Sequence, residues 1–392
     1  MIQIKDKSAC CGCSACYAIC PKQCISLSPD KEGFLYPVVN AEVCINCGLC
    51  EKVCPVLHPK QKETQPEVFA VINTDEKIRL QSSSGGVFTL IAEKVIDEEG
   101  VVFGARFNEN WEVVHDYAET KEGLSCFRGS KYVQSNLGNS FNQAKSFLDT
   151  GRKVMFTGTP CQIAGLKNFL RKSYDNLLAV DVVCHGVPSP AVWREYLNQS
   201  VKNIYKKQPL SKGTLKLKDV IQNINFRSKE NGWKNYHVAI EYKNGEKEST
   251  PFYQNMYMNA FLSDFSLRPS CFACPAKLDN MQGDITLADC WGVDKLKPEI
   301  DDDKGCGLML IHNPIIWKQY DKVSGIVKYP LSLSDVVKYN PMITRSVNSP
   351  VNRTLFFDLF SRIGLKKTYQ YTNSSRLLIR ILRNLYRRLR LI

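Results

Sequence analysis

This 392-residue chain has no run approaching the eighteen or so consecutive apolar residues of a membrane-spanning helix. It shows no sign of a secretory leader either, since MIQIKDK opens with charges where an apolar stretch would stand. An intracellular, cytoplasmic chain is therefore expected, in which cysteines serve metal or redox chemistry more often than disulfides. Acidic residues are missing from one region. Between Arg362 and Ile392 there are nine Arg or Lys and no Asp or Glu. Of the net charge of +13, only 13 − 9 = +4 is left for the remainder, so the basic character belongs to the C-terminus. No aromatic platform accompanies it, which argues against nucleic acid as a partner. The 44% hydrophobic content suits a chain that buries a core, and the length suffices for two or three domains.

Cysteine, by contrast, is abundant, with seventeen along the chain. Cys10, Cys13, Cys16 and Cys20, followed by Pro21, fit C-x2-C-x2-C-x3-C-P; Cys44, Cys47, Cys50 and Cys54, followed by Pro55, fit it again. Thiolates every third residue wrap successive corners of one iron–sulfur cube, and the fourth cysteine crosses to the other cube. That rule assigns Cys10, Cys13, Cys16 and Cys54 to one 4Fe–4S cluster and Cys44, Cys47, Cys50 and Cys20 to a second. Structural zinc also uses C-x2-C pairs, but often as two separated pairs per site instead of two triplets each closed by Cys-Pro. Cys11 and Cys24 fall outside the register and read as packed thiols. Cys24–Leu27 and Phe34–Val39 read as strands around a turn, and residues 1–60 resemble the bacterial two-cluster ferredoxin fold.

Pro59–Glu67 is polar and proline-flanked, a linker by composition. Beyond it strand-like and helix-like stretches alternate: strand Val68–Ile72, helix Val87–Ile96, strand Val101–Gly104. The alternation predicts an α/β body, and the whole chain an α+β class. Strand Lys153–Phe156, helix Gln162–Leu170 and strand Leu177–Val183 form a β-α-β unit with parallel strands. Cys161 and Cys184 each follow the C-terminal end of one strand, the rim where open α/β sheets bind ligands. Pro160 suits the first helical position, and a thiolate at Cys161 would gain from the helix N-terminus. Cys271 and Cys274 stand in Cys-Phe-Ala-Cys-Pro. Four thiolates from Cys161, Cys184, Cys271 and Cys274 would hold a metal group; core thiols, a redox disulfide and zinc stay open from the residues alone. The turn Ser82–Gly86 before a helix offers free amides to a phosphate, or is an ordinary cap. Lys131, in Gly129-Ser130-Lys131-Tyr132, sets a cation near a turn.

The body resembles the beta-subunit family of coenzyme F-420 hydrogenases and dehydrogenases, with its related chlorophyllide and hydroxymethyl-chlorophyll reductases. The resemblance covers roughly residues 68–325. It rests on SSSGGVFTLIAEKVIDEEGVVFGA (82–105), GSKYVQS (129–135), GTPCQIAGLK (158–167), VCHGVPSP (183–190), NINFRSKENGW (223–233), RPSCFACPAK (268–277) and GDITLADCWG (283–292). It implies FAD and a third 4Fe–4S cluster beside it, the cluster on Cys161, Cys184, Cys271 and Cys274. It implies flavin contacts at Ser83, Ser84, Gly85 and Gly86, at Lys131, and at Gly158, Thr159 and Pro160. Cys290 and Cys306 depart from the family's usual residues and read as packed small side chains.

The expected organisation is a ferredoxin domain at 1–60, a flavin-binding domain at 68–150, a cluster and flavin domain at 151–325, and a C-terminal extension at 326–392. The implied function is an FAD- and iron–sulfur-dependent oxidoreductase taking electrons from ferredoxin or a deazaflavin donor to a small-molecule or glycan substrate. A flavin suits that junction because it accepts single electrons and pairs. The alternative is an electron-relay subunit with no substrate site. No residue is identified as a general acid, and His185 reads as a support for its neighbour Cys184. In the tail, Arg376, Arg380, Arg383, Arg387, Arg388 and Arg390 interleave with Leu377, Leu378, Ile381, Leu382, Leu385 and Leu389. That stripe suits a helix at the inner membrane face or in a partner's acidic groove. A membrane-leaning tail would fit a role in surface polysaccharide synthesis.

Overall fold

The computed structural model describes residues 1–61, 65–205 and 216–389, with side chains through Ser374. The N-terminal unit is an antiparallel hairpin, β1 (Ile25–Pro29) and β2 (Leu35–Val39), set between the short helices Ala15–Ile19 and Leu49–Lys52. Asp30 builds the hairpin turn, its Oδ1 accepting from the backbone N–H groups of Glu32 and Phe34. The two cysteine motifs repeat one backbone device. Gly12 and Ser14 in the first, Asn46 and Gly48 in the second, take left-handed φ angles of 73°, 58°, 52° and 74°. Each loop thereby turns at matching positions, 34 residues apart. This is where the internal duplication becomes physical.

The body contains β3 (Glu67–Asn73), β4 (Val101–Phe107), β5 (Val113–Ala118), β6 (Val154–Gly158) and β7 (Leu177–Val182). After them come β8 (Ile221–Ser228), β9 (His237–Tyr242), β10 (Lys247–Pro251), β11 (Ile285–Asp289), β12 (Gly307–Ile311) and β13 (Ile326–Leu331). Eight of these form one mixed sheet in the order β13-β3-β12-β11-β7-β6-β4-β5. Its centre, β4, β6, β7 and β11, is parallel, as the β-α-β reading predicts. Those strands read as continuous apolar runs because both faces are covered. Phe103, Val154, Phe156 and Ala179 face helices Ser140–Asp149 and Pro160–Leu170; Val102, Met155, Leu178 and Val180 face helix Val87–Asp97. Strands β10-β9-β8 form a separate antiparallel sheet. It packs with helices Pro190–Tyr205 and Met256–Leu262 around Trp193, Phe226 and Tyr257, and the hairpin's Phe34 and Tyr36 enter that same core.

The expected divisions at 150/151 and 325/326 do not separate sheets. Strands from 68–150, from 151–325 and from beyond 325 all lie in the eight-stranded sheet. The physical reason is edge protection: β13 pairs with β3, whose outer backbone groups would otherwise stand unpaired. The C-terminal helix, Arg353–Leu389, breaks at Gly364 (φ 76°, ψ 170°). Its first part is a strap, with Phe356 and Phe357 buried in the core and Arg353 paired to Glu32 of the hairpin turn at 2.5 Å. The arginine and leucine stripe from Arg376 to Arg390 lies outside the described side chains. Among the described residues no helix is long and apolar enough to cross a membrane.

Candidate functional site

In the structure the eight motif cysteines line two hollows. One hollow is lined by Cys10, Cys13, Cys16 and Cys54, with Cys11 and a wall of Ile2, Ile4, Leu27, Leu35 and Val56. A second is lined by Cys20, Cys44, Cys47 and Cys50, with Cys24 and Ile25. Among the described residues no three His, Cys, Asp or Glu side chains converge as the ligands of a single metal ion would. The thiols line the walls of the two hollows. Burial, then the neighbouring Cys10 and Cys54, push the Cys16 thiol up to about 12. Thiols crowded in this way become thiolates only when a cation compensates them, which is the chemistry of cluster ligation. The backbone N–H of Ile2 donates to Cys50 Sγ at 3.4 Å, a bond that suits a ligated thiolate. In both hollows the residues fit a 4Fe–4S group.

The four body cysteines also come together. Cys161 stands in the first turn of helix Pro160–Leu170, and Thr159, whose hydroxyl is 3.2 Å from Cys161 Sγ, closes a capping box with Gln162. Cys184 follows β7. Cys271 and Cys274 lie on and just after the 3-10 turn Pro269–Ala273. Burial, with Cys271, Cys161 and Cys274 nearby, pushes the Cys184 thiol well up. Val187 N–H donates to Cys271 Sγ at 3.4 Å, and Lys277 Nζ donates to the Cys184 carbonyl at 2.9 Å. A cation therefore abuts the set, and a backbone donor points at one of its sulfurs.

Cys11 is buried, as a packed thiol would be, and lies near enough to both Cys13 and Cys161 for their thiols to act on its own. It thus joins the first N-terminal hollow to the body set. Sequence reasoning missed this because Cys11 is out of register for its own loop; its partner is 150 positions away. Cys24 Sγ lies 3.4 Å from Cys20 Sγ at the second hollow. Cys290 and Cys306 are buried against each other beneath the sheet.

The residues implied as flavin contacts divide into two groups. Ser83 Oγ accepts from Ser130 N–H at 2.6 Å, which places Ser83 beside Lys131. Lys131 Nζ donates to the carbonyls of Cys126 and Arg128, and burial pushes its ammonium down to about 7. Its charge reaches His115, whose Nε2 bonds the Thr157 carbonyl next to Gly158, Thr159 and Pro160. These residues therefore surround one place. Ser84, Gly85 and Gly86 each have contacts within the protein. Ser84 Oγ donates to the Cys306 carbonyl at 2.7 Å; a Cβ on Gly85 would stand 2.3 Å from the Val71 carbonyl; Gly86 (φ 81°) caps helix Val87–Asp97.

Several residues at this place were not legible beforehand. His115 is buried and burial holds it down at about 4, so it is neutral at ordinary pH. Since Nε2 must donate to a carbonyl, its Nδ1 is an acceptor, and that atom is buried without a partner. Arg227 pairs with Asp289 at 3.0 Å and lies over the rings of Tyr236 and Trp291, its Nε also buried and unpartnered. Lys229 Nζ donates to the carbonyls of Arg79, Ser84 and Lys304. An orphaned acceptor, an orphaned donor and concentrated positive charge fit a nucleotide cofactor with an anionic diphosphate. Contact runs on to the body cysteines: Arg227 Nη1 meets the Tyr132 hydroxyl at 3.2 Å, Tyr132 packs on Phe261, and Phe261 on His185 beside Cys184. His185 is held by Asp264 at 2.7 Å.

Comparison with known proteins adds to this geometry. Residues 9–57 match the 4Fe-4S dicluster domain, and residues 151–325 match the C-terminal domain of the coenzyme F-420 hydrogenase/dehydrogenase beta subunit. One subunit of the F(420)H(2) dehydrogenase of Methanosarcina mazei is 24% identical over 220 residues, 52% of this chain and 62% of that protein. The coenzyme F-420-dependent sulfite reductase of Methanocaldococcus jannaschii is 26% identical over 198 residues, 50% of this chain and 30% of that protein. An uncharacterized ferredoxin of the same organism is 36% identical over 67 residues, 15% of this chain and 86% of that protein. The chain thus spans less than two thirds of the length of the first two relatives. A chain of the F-420-reducing [NiFe] hydrogenase complex from Methanosarcina barkeri is similar with a TM-score of 0.46 and 15% identity, over 72% of this chain and 91% of that one. With the thiol sets at residues 9–57 and the clustered cysteines within 151–325, the chain joins an N-terminal 4Fe–4S dicluster domain to the C-terminal domain of the coenzyme F-420 hydrogenase/dehydrogenase beta subunit.

Proposed function

We propose that this chain is an iron–sulfur flavoprotein oxidoreductase that carries electrons from a ferredoxin or deazaflavin donor to a bound substrate. The observation that carries the reading is Cys11, which lines the first N-terminal hollow and lies close enough to Cys161 for the two thiols to act on each other, so that the N-terminal and body thiol sets adjoin. In it, Cys10, Cys13, Cys16 and Cys54 hold one cluster, Cys20, Cys44, Cys47 and Cys50 a second, and Cys161, Cys184, Cys271 and Cys274 a third. When bound, clusters supply one-electron steps and a flavin couples them to two-electron chemistry. Lys131, Ser83 and the Gly158–Pro160 turn would hold the flavin, and His115 Nδ1 would be an acceptor beside it. Phe261 and Tyr132 exclude water between that place and Cys184.

Anaerobic purification followed by iron, sulfide and flavin analysis tests the reading. Iron and sulfide filling three clusters, with FAD bound after reconstitution, are expected. Stoichiometric zinc with iron near zero defeats it. Steady turnover of a small molecule by the purified chain alone separates a reductase from a pure relay. A role in surface polysaccharide synthesis is the extension that genome neighbourhood would test.

A further inference from the structure

Arg268 is one of the largest fully buried side chains, with 0% of its surface exposed. It lies between the two inner thiol sets. Its backbone carbonyl accepts from Cys271 N–H at 3.0 Å, so it is fixed one turn before a body cysteine. Its guanidinium reaches into the ferredoxin unit. Nε donates to the Cys10 carbonyl at 2.7 Å, and Nη2 to the Leu35 carbonyl at 3.0 Å and to Cys10 Sγ at 3.5 Å. Nη1 donates to Gln134 Oε1 at 2.9 Å. The Tyr36 ring lies beneath it, 4.2 Å from Cζ. It is also near enough to Cys161 and Cys271 for its charge to act on both thiols.

What it lacks, among the described residues, is a carboxylate. The two acids near the hairpin turn are engaged elsewhere, Asp30 with Lys7 and Glu32 with Arg353. Every acceptor that Arg268 has is a carbonyl, an amide oxygen or a sulfur. A guanidinium stays charged at any working pH, and a buried charge without a counter-charge is strongly disfavoured. Gly12 shows how closely the loop is drawn onto it, since a Cβ there would stand 2.8 Å from Arg268 Nη1.

We propose that the counter-charge of Arg268 is the net negative charge that thiolate-ligated iron–sulfur clusters would carry on either side of it, and that Arg268 is a positioning residue for electron transfer between the two inner clusters. The inference rests on the cluster assignment proposed above. Reduction adds one negative charge to a cluster, and a fixed cation in a low-dielectric interior stabilises that added charge. Arg268 therefore raises the potentials of the Cys10 cluster and of the Cys161 cluster together. The outer set, Cys20, Cys44, Cys47 and Cys50, makes no hydrogen bond to it, so its potential stays lower. Electrons arriving at the outer cluster then run inward.

The test is a redox titration of the three clusters by electron paramagnetic resonance, on the full chain purified anaerobically. Three variants are compared with wild type. Arg268→Gln removes the charge, Arg268→Lys keeps it without the planar fork, and Gln134→Glu keeps the guanidinium but sets a carboxylate against it. The third cluster's signal is assigned by its loss in Cys274→Ser. In Arg268→Gln and Gln134→Glu the two inner potentials should fall by at least a tenfold change in equilibrium, about 59 mV for one electron. The outer potential should not move, and Arg268→Lys should stay close to wild type.

Unchanged inner potentials in either charge-altering variant overturn the proposal, as does Arg268→Lys behaving like Arg268→Gln. If Arg268→Gln fails to hold its clusters, Gln134→Glu decides alone, because its shape is nearly that of wild type. A wild-type chain without three clusters would defeat the proposed function itself, and iron analysis reports that before any potential is measured.

Discussion

Gly165, in the middle of helix Pro160–Leu170, lies directly against Cys13 of the first cysteine loop. A Cβ built at 165 would stand 2.8 Å from Cys13 Cβ and 3.0 Å from its Sγ. Glycine in a helix interior ordinarily costs stability, so its presence here marks a close approach of two chain segments. Gly165→Ala should separate helix and loop and destabilise the chain by about 1–3 kcal/mol. The expected result is a lower unfolding midpoint, with faster loss of iron to a chelator. An unchanged rate of iron loss would show that the contact has no bearing on the site.

Gly12 makes the same argument from backbone conformation. Its φ of 73° is left-handed, and a Cβ would stand 2.6 Å from Gln134 Nε2. Gly12→Ala adds about 1–2 kcal/mol of backbone strain to that clash. Less iron per purified chain is expected, with the second N-terminal motif affected least.

The body cysteines carry a compositional prediction. Replacing Cys161, Cys184, Cys271 or Cys274 singly by serine should remove about a third of the iron, one cluster of three. Zinc analysis of the same samples checks the competing metal. Iron content equal to wild type in all four variants would count against a third cluster.

Lys131 ties anion binding to pH. Burial holds its ammonium down at about 7, below the 10.5 of an exposed lysine. Between those values the unfolded chain binds the extra proton, so this residue's contribution to stability rises with pH from about 7 to about 10.5. Its charge is complete only below about 7, and there the apo chain should bind a diphosphate-bearing flavin most tightly. Lys131→Met should weaken flavin binding and flatten its pH profile, as measured by fluorescence titration. A profile that persists in the variant would exclude Lys131 as its source.

The strap offers a stability test far from the cysteines. Arg353 and Glu32 are nearly buried, with side-chain exposures of 11% and 9%. Glu32→Ala leaves the guanidinium without its partner and should cost about 3–5 kcal/mol. Because the pair joins the C-terminal helix to the ferredoxin hairpin, proteolytic nicking near Gly364 should quicken in the variant.

Local chemistry made part of this protein legible from its residues. The spacing within Cys10–Cys16 and within Cys44–Cys50 suits three thiols of each motif to one cube, because only two residues separate successive thiols, while the fourth comes from the other motif. The hairpin at Ile25–Val39 and the β6-helix-β7 unit followed from alternation and runs of apolar residues, which act within a few positions. Cys161 and Cys184 could be set on one rim for the same reason. What the residues could not disclose are relations between positions far apart in the chain. Arg268 against Cys10, Cys11 against Cys161, His115 against Thr157 and β13 against β3 are long-range contacts, which leave no periodic trace. Local sequence pointed to the candidate thiol sets. Only the packing of the ferredoxin unit on the body decided that two of those sets share a buried cation and a thiol, because burial and the loss of counter-charge exist only once the chain has folded.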